Sequence, residues 1–244
     1  KFNRGETIDY PSAKKLEDEA KEKTPKIYLT ISDSKGKVVR RISANKNRGY
    51  HEKYWDLRTF SQRNVDDENN YSGPLVPPGK YSVHIEKFED DKLEKLTEAY
   101  SFDIIQIGSK SSQEDREKLY DFQLNFDELV TLVNELVDEI DDAIEEVDGE
   151  INKSINTSSE SNLESLNKKR GDIMDLKMIL TGTRSLNYAD VFSGSPPSVQ
   201  RRLGNMGWEL YNTTSKPTKT HEMTYKISKE KYDEVLTSFR EIMN

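Results

Sequence analysis

The chain has 244 residues, no cysteine, a formal net charge of −8 and a mean hydropathy of −0.90. Charged residues make up 34% and hydrophobic residues 33%, which excludes one large spherical core and favours a small sandwich with slender, amphipathic helices. The acidic balance argues against nucleic acid as a partner, and the lack of cysteine excludes disulfides, thiolate metal sites and thiol nucleophiles.

Residues 1–24 are polar and charged, and we expect them to form a connector from an N-terminal neighbour. Ser12 is a fitting N-cap for a short helix over residues 12–23 that Pro25 would end. Because the chain begins at Lys1 rather than Met, we expect a processed chain or a fragment whose targeting signal lay upstream. No apolar run is long enough to span a membrane.

From residue 25 to residue 107 the apolar positions alternate with polar ones, which is typical of half-buried strands. The first strand is predicted at residues 27–31, with a turn at 33–36 and a return strand from residue 38. In the segment that follows, the candidate core residues are Tyr50, Trp55 and Leu57.

The second half of this region predicts a rigid turn at residues 73–79, because Pro fixes φ and Gly supplies positive φ. A strand at residues 80–87 follows, and a hairpin through Asp90 and Asp91 leads to a last strand at 98–105. Short strands separated by turns predict an Ig-like β-sandwich over residues 25–107.

After residue 107 the period becomes helical, with Ser112 as N-cap and Asp115 as its acidic partner. Apolar residues at 3-4 spacing over four heptads predict one long helix of about 35 residues, roughly 50 Å long. Its stripe comprises Leu119, Phe122, Phe126, Leu129, Val133, Leu136, Ile140, Ala143 and Val147.

Three shorter helices are predicted after a loop at residues 152–162, and together they make a three- or four-helix bundle over residues 112–244. Gly182 would be the C-cap of the second helix, Ser198 opens the third, and the last runs from Ser228. Gly204 and Gly207 in the third helix predict close packing against a neighbour. The three stripes comprise Leu163, Leu166, Ile173, Leu176 and Leu180, then Val199, Leu203, Met206 and Leu210, then Tyr232, Val235, Phe239 and Ile242.

The sequence offers no motif that assigns a catalytic, cofactor or metal residue. His51, His84 and His221 lie far apart and match no metal-ligand spacing. The acidic run at residues 138–148 falls within the long helical stripe, so we interpret it as a solvated face rather than a calcium loop. The polar loop at residues 66–70 is richer in oxygen ligands and is also more typical of a turn, and the sequence leaves open whether it binds calcium.

Three segments carry a resemblance to a known family. They are IYLTISDSKGKVVRRI with GYHEKYWDLR in residues 27–58, GPLVPPGKYSV in residues 73–83, and PPSVQRRLGNMGWELYNTTSKPTKT in residues 196–220. This order resembles the C-terminal region of bacterial secreted proteins with a sialidase-like or sortilin-like β-propeller, often labelled glycosyl hydrolases with neuraminidase-type repeats. The resemblance implies an extracytoplasmic location (periplasm, outer membrane or secreted) and an upstream propeller in the same polypeptide as partner. It places no catalytic residue of the family on this chain.

We therefore expect an α+β, multidomain chain with a non-catalytic, scaffolding function, in which the helices bind another cell-envelope protein. The alternative is a carbohydrate-binding accessory module of a secreted glycosidase, with Tyr54, Tyr71 or Trp208 stacking on sugar faces, although a core position is favoured for Trp208. A third hypothesis, that these residues form an enzyme themselves, rests on no motif.

Overall fold

A computed structural model describes residues 12–14, 16–17, 24–60, 72–108, 111–157, 160–182 and 197–243. From residue 24 onward the described strands precede the helices, which confirms the predicted α+β class. The strands are β1 Lys26–Asp33, β2 Val38–Ala44, β3 Arg58–Phe60, β4 Ser72–Leu75, β5 Gly79–Glu89, β6 Lys92–Lys95 and β7 Tyr100–Ile104. The helices are α1 Gln113–Asn156, α2 Glu160–Thr181, α3 Val199–Tyr211 and α4 Lys219–Met243.

The described residues divide into two compact units. Those up to Arg58 and from Pro78 to Ile105 form the first, here called the sheet unit. Those from Thr59 to Pro77 and from Gln106 onward form the second, the helical unit. Of the described residues, 59–60 and 72–77 thus fold with the helices, and β4 contacts α1. The chain leaves the sheet unit after Arg58, the first residue of β3, and returns to it at Pro78, just before β5.

The sheet unit contains an antiparallel sheet with strand order β2-β1-β5-β6, and β7 pairs with β5 beside β6. The eleven residues of β5 allow this because its first half pairs with β7 and its second half with β6. Asp90 and Asp91 have φ of 51° and 56°, as the tight hairpin turn between β5 and β6 requires. The first predicted strand and its return strand are confirmed as β1 and β2, with Gly36 at φ 80° in their turn.

One face of this sheet carries most of its apolar residues. Ile31 on β1 and Tyr81 on β5 are buried, and the indole of Trp55 packs edge-on against Tyr81 and Phe102 at centroid distances of 5.9 and 6.3 Å. The prediction of Tyr50 and Leu57 as core residues was wrong, because both are exposed. The residue type shows only that a side chain is apolar. Whether it is buried depends on which side of the segment packs on the sheet.

The rigid turn predicted at residues 73–79 was also wrong at its start, where β4 pairs with β3 in a two-stranded sheet. The reason lies in Gly73, since a Cβ there would lie 2.4 Å from the hydroxyl oxygen of Thr59 and 2.7 Å from the carbonyl oxygen of Phe60. The absence of a side chain at Gly73 allows β4 to approach β3 this closely.

The predicted helix N-caps Ser112 and Ser198 are confirmed. The Ser112 hydroxyl accepts from Asp115 N–H at 3.1 Å, and the Ser198 hydroxyl accepts from Arg201 N–H at 3.3 Å. Gly182, at φ 87°, follows the last residue of α2 as predicted. Leu16 N–H donates to the carbonyl of Ser12 at 3.1 Å in a helical turn, and the rest of that predicted short helix lies outside the described residues.

Three predicted boundaries moved. Helix α1 has 44 residues and ends at Asn156, so at 1.5 Å per residue it is about 66 Å long. Residues 152–156 are therefore helix rather than loop, and α2 begins at Glu160, before the predicted end of the loop at residue 162. Helix α4 begins at Lys219 instead of Ser228, because the Thr218 hydroxyl accepts from His221 N–H at 3.2 Å and caps it. The four helices share one core, to which every predicted stripe contributes.

Candidate interaction site

Helix α3 approaches α1 closely at Gly207. A Cβ at this position would lie 2.9 Å from Cζ of Phe126, which is only 1% exposed. The predicted close packing is therefore confirmed for Gly207. At Gly204, one turn earlier, a Cβ would meet nothing within 4 Å, so the missing side chain there leaves open space instead.

Two hydrogen bonds, one buried and one part-buried, fix the C-terminal end of α3 against α1. The Gln123 amide donates to the carbonyl of Leu210 at 2.8 Å, and the Tyr211 hydroxyl donates to Oδ2 of Asp127 at 2.5 Å. Gln123 and Asp127 are 5% and 3% exposed, so both polar groups depend on these partners. The orientation of α3 on α1 is set by polar contacts as well as by packing.

A groove of about 280 Å³ runs between α1 and α3 beside Gly204. Its apolar lining comes from both helices, and Gln200 donates to Asn134 at 3.2 Å across it. Trp208 lines the groove yet is 74% exposed. The core position favoured for Trp208 from the sequence was therefore wrong. The lining residues are Phe126, Val130, Val133, Asn134, Gln200, Leu203, Gly204, Gly207 and Trp208.

Beyond the groove, α1 carries acidic side chains and no Lys or Arg from residue 119 to residue 152. Asp141 and Asp148 form ion pairs with Lys177 and Arg170 of α2. The exposed carboxylates begin next to Asn134 and are Glu135, Asp138, Glu139, Asp142, Glu145, Glu146 and Glu150. The predicted solvated face is thus present, and it gives this side of α1 a strong negative charge.

His221 joins α4 to α3. Its Nε2 lies 3.0 Å from Oε2 of Glu209, and its Nδ1 accepts from Thr218 N–H at 3.4 Å. The imidazole is buried and both ring nitrogens are engaged. These contacts link the start of α4 to Glu209 of α3.

His84 belongs to a polar cluster on the sheet face opposite Tyr81. Glu86 accepts from the Thr30 hydroxyl at 2.5 Å and from Arg41 Nε at 3.1 Å, and it lies 3.0 Å from Nε2 of His84. Burial raises the pKa of Glu86, but hydrogen bonds from Thr30, His84 and Arg41 outweigh it and hold the pKa below its ordinary value. The carboxylate is saturated by its neighbours, so the cluster ties β1, β2 and β5 together.

The sequence-predicted surface residues lie in different units or outside the described residues. Tyr54 lies in the sheet unit and Trp208 in the helical unit, while Tyr71 and the loop at residues 66–70 lie outside the described residues. Tyr54 is 83% exposed and shares the carboxylate of Glu52 with Tyr50. Tyr50 and Glu52 were not predicted as surface residues from the sequence, although they form a Tyr-x-Glu-x-Tyr pattern with Tyr54.

Within the described ranges, no group of three or more His, Cys, Asp or Glu side chains is arranged to hold a metal ion. No helix in the same part of the chain is long and apolar enough to cross a membrane. Comparison with protein-family models, curated proteins and solved structures finds no match.

Proposed function

We propose that this chain is a non-catalytic interaction and scaffolding module whose helical unit binds a partner protein in the Trp208 groove. The supporting observation is that a Trp, the side chain most enriched in binding hot spots, lies 74% exposed at the edge of an apolar groove. The groove volume of about 280 Å³ is near the lower end of small-molecule pockets. A groove of this size accommodates a few apolar side chains of a partner protein.

The partner segment we propose is a basic, amphipathic helix. A groove lined by apolar side chains of two neighbouring helices, here α1 and α3, is the kind of surface on which an amphipathic helix lays its apolar face. Glu135 and Asp138 continue the α1 side of the groove beyond Asn134 with exposed negative charge. Positive charge on the partner helix would speed its association with this negative surface, and acidic partners would be repelled.

A pair of synthetic helices with the same apolar positions, one lysine-rich and one glutamate-rich, tests this proposal by titration calorimetry. We expect the basic peptide alone to bind, with a dissociation constant that rises with salt. Gly204→Leu, which fills the groove, and Trp208→Ala should both abolish binding, and Tyr54→Ala in the sheet unit should not. Equal binding of both peptides, or binding unaffected by Gly204→Leu, would contradict the proposal. A cell-envelope extract then supplies the natural partner, which Trp208→Ala should fail to capture.

We further propose that the sheet unit is an Ig-like sandwich, that the helices form a bundle, and that both belong to an extracytoplasmic protein with an upstream β-propeller. The antiparallel sheet with one apolar face and the shared helical core support the two architectural parts. The propeller and the location rest on the sequence resemblance alone. An intact mass of the native protein far above 28.2 kDa is the expected result, and a mass of that value would rule out the propeller.

A further inference from the structure

Two exposed tyrosines in the sheet unit are held by one carboxylate. Tyr50 OH donates to Oε1 of Glu52 at 2.8 Å, and Tyr54 OH donates to Oε2 at 2.7 Å. Their rings are 85% and 83% exposed. Hydrogen bonds from Tyr54 and Tyr50 lower the pKa of Glu52, so it is ionised at neutral pH. Both rings are thereby restrained on the same side of the segment.

The opposite side of this segment is anchored to the sheet. Trp55 packs on Tyr81 and Phe102, and its Nε1–H donates to the carbonyl of Arg58 at 2.8 Å. At the other end, Nε2 of His51 lies 2.7 Å from the carbonyl oxygen of Asn47. Because Trp55 holds the segment on the sheet and Glu52 holds both tyrosine hydroxyls, ordering the two rings on binding costs less entropy than ordering free side chains.

We infer that Tyr50, Glu52 and Tyr54 form a platform for neutral sugar rings. A pyranose has an apolar C–H face, which packs on an aromatic ring, and hydroxyl groups, which donate to a carboxylate. Both tyrosine hydroxyl hydrogens are used by Glu52, so the platform presents ring faces and acceptor lone pairs. That combination suits a ligand rich in hydroxyl donors.

The surrounding charge disfavours the other ligand that binds aromatic surfaces, an organic cation. The loop from residue 46 to residue 58 contains Lys46, Arg48, Lys53 and Arg58 against Glu52 and Asp56. This positive excess opposes the attraction of the Glu52 carboxylate for a cation and leaves a neutral sugar unaffected. The platform belongs to the sheet unit, so it goes beyond the proposed protein-binding role of the helical unit and does not depend on it.

Titration calorimetry of the full chain with cellohexaose, chitohexaose and maltohexaose tests the platform. We expect at least one of them to bind at millimolar or lower concentration. Tyr50→Ala and Tyr54→Ala should each weaken that binding by about tenfold, and Glu52→Gln should weaken it by removing the charged acceptor. Lys53→Ala, between the two tyrosines, and Trp208→Ala, in the helical unit, are the matched controls and should bind as the unchanged chain does.

Circular dichroism checks that each variant is folded, which the exposure of both rings leads us to expect. The platform is wrong if none of the three sugars binds, or if the Tyr50→Ala/Tyr54→Ala double variant binds as well as the unchanged chain. Binding of tetramethylammonium or decaproline at the tyrosines without sugar binding would equally overturn it. Loss of sugar binding in Trp208→Ala alone would place the sugar site in the helical unit.

Discussion

Gly207 of α3 and Phe126 of α1 are so close that a side chain at position 207 would overlap the buried ring, with 2.9 Å between the added Cβ and Cζ. This single approach places Trp208, the next residue, at the edge of the groove. The proposed binding surface therefore depends on a glycine whose role is packing rather than backbone freedom.

Gly207→Ala should destabilise the helical unit by about 1–3 kcal/mol, because overpacking against Phe126 outweighs the gain in helix propensity. Gly204→Ala is the matched control on the same helix, and with nothing within 4 Å of its Cβ it should stabilise by up to about 1 kcal/mol. Urea unfolding followed by the circular dichroism of the helices measures both. Equal shifts in the two variants would show that α3 does not approach α1 this closely.

Tyr211→Phe should cost about 1–3 kcal/mol, because it removes a donor from the buried carboxylate of Asp127. Tyr225→Phe provides the comparison: burial raises the pKa of Tyr225, and its ring packs on Phe122 at 5.5 Å. Since that contact survives the loss of the hydroxyl, the change should be near neutral. Chemical denaturation of both variants gives the difference, and a Tyr211→Phe protein as stable as Tyr225→Phe would argue against a structural role for the Asp127 contact.

The sheet unit should lose stability in acid through Glu86. Its folded pKa lies below the ordinary value of 4.5, so its stabilisation is present above that pH and is lost as the pH falls through the folded pKa. Glu86→Gln should lower the free energy of unfolding of the unit by about 1–3 kcal/mol at pH 7. In the variant, that free energy should fall less as the pH is lowered.

Trp55 fluorescence in a Trp208→Phe background isolates the sheet unit for this measurement. Glu89→Gln, on the same strand, is the control, because Glu89 is more exposed and its contact with Lys87 is worth little in solvent. An unchanged acid profile in Glu86→Gln would show that another group controls the acid sensitivity.

The ion pair between Arg170 of α2 and Asp148 of α1 should contribute little, although Nε and Nη2 both donate to the carboxylate, at 2.5 and 3.2 Å. Both side chains are more than a third exposed, so a double-mutant cycle with Arg170→Ala and Asp148→Ala should give a coupling of less than about 1 kcal/mol. Added salt should reduce it further. A larger coupling that resists salt would indicate that the pair is desolvated.

The sequence alone determined the features that depend on neighbouring residues. Period two predicted β1, β2 and β5, the 3-4 stripe predicted α1, and the caps at Ser112 and Ser198 marked helix starts. The start of α4 was predictable too, since Thr218 is a residue type favoured at helix N-caps, although Ser228 was predicted instead.

Only the tertiary structure decided which apolar and aromatic residues face solvent. Trp208 is exposed because its neighbour Gly207 occupies the contact with Phe126, and Tyr50 is exposed because Trp55 takes the place on the sheet. The sequence also could not predict that β4 folds with the helices. This placement depends on the close approach of Gly73 to Thr59 across the two-stranded sheet. Periodicity states that one side of a segment is apolar, whereas the partner that covers it is set by residues far away in the chain.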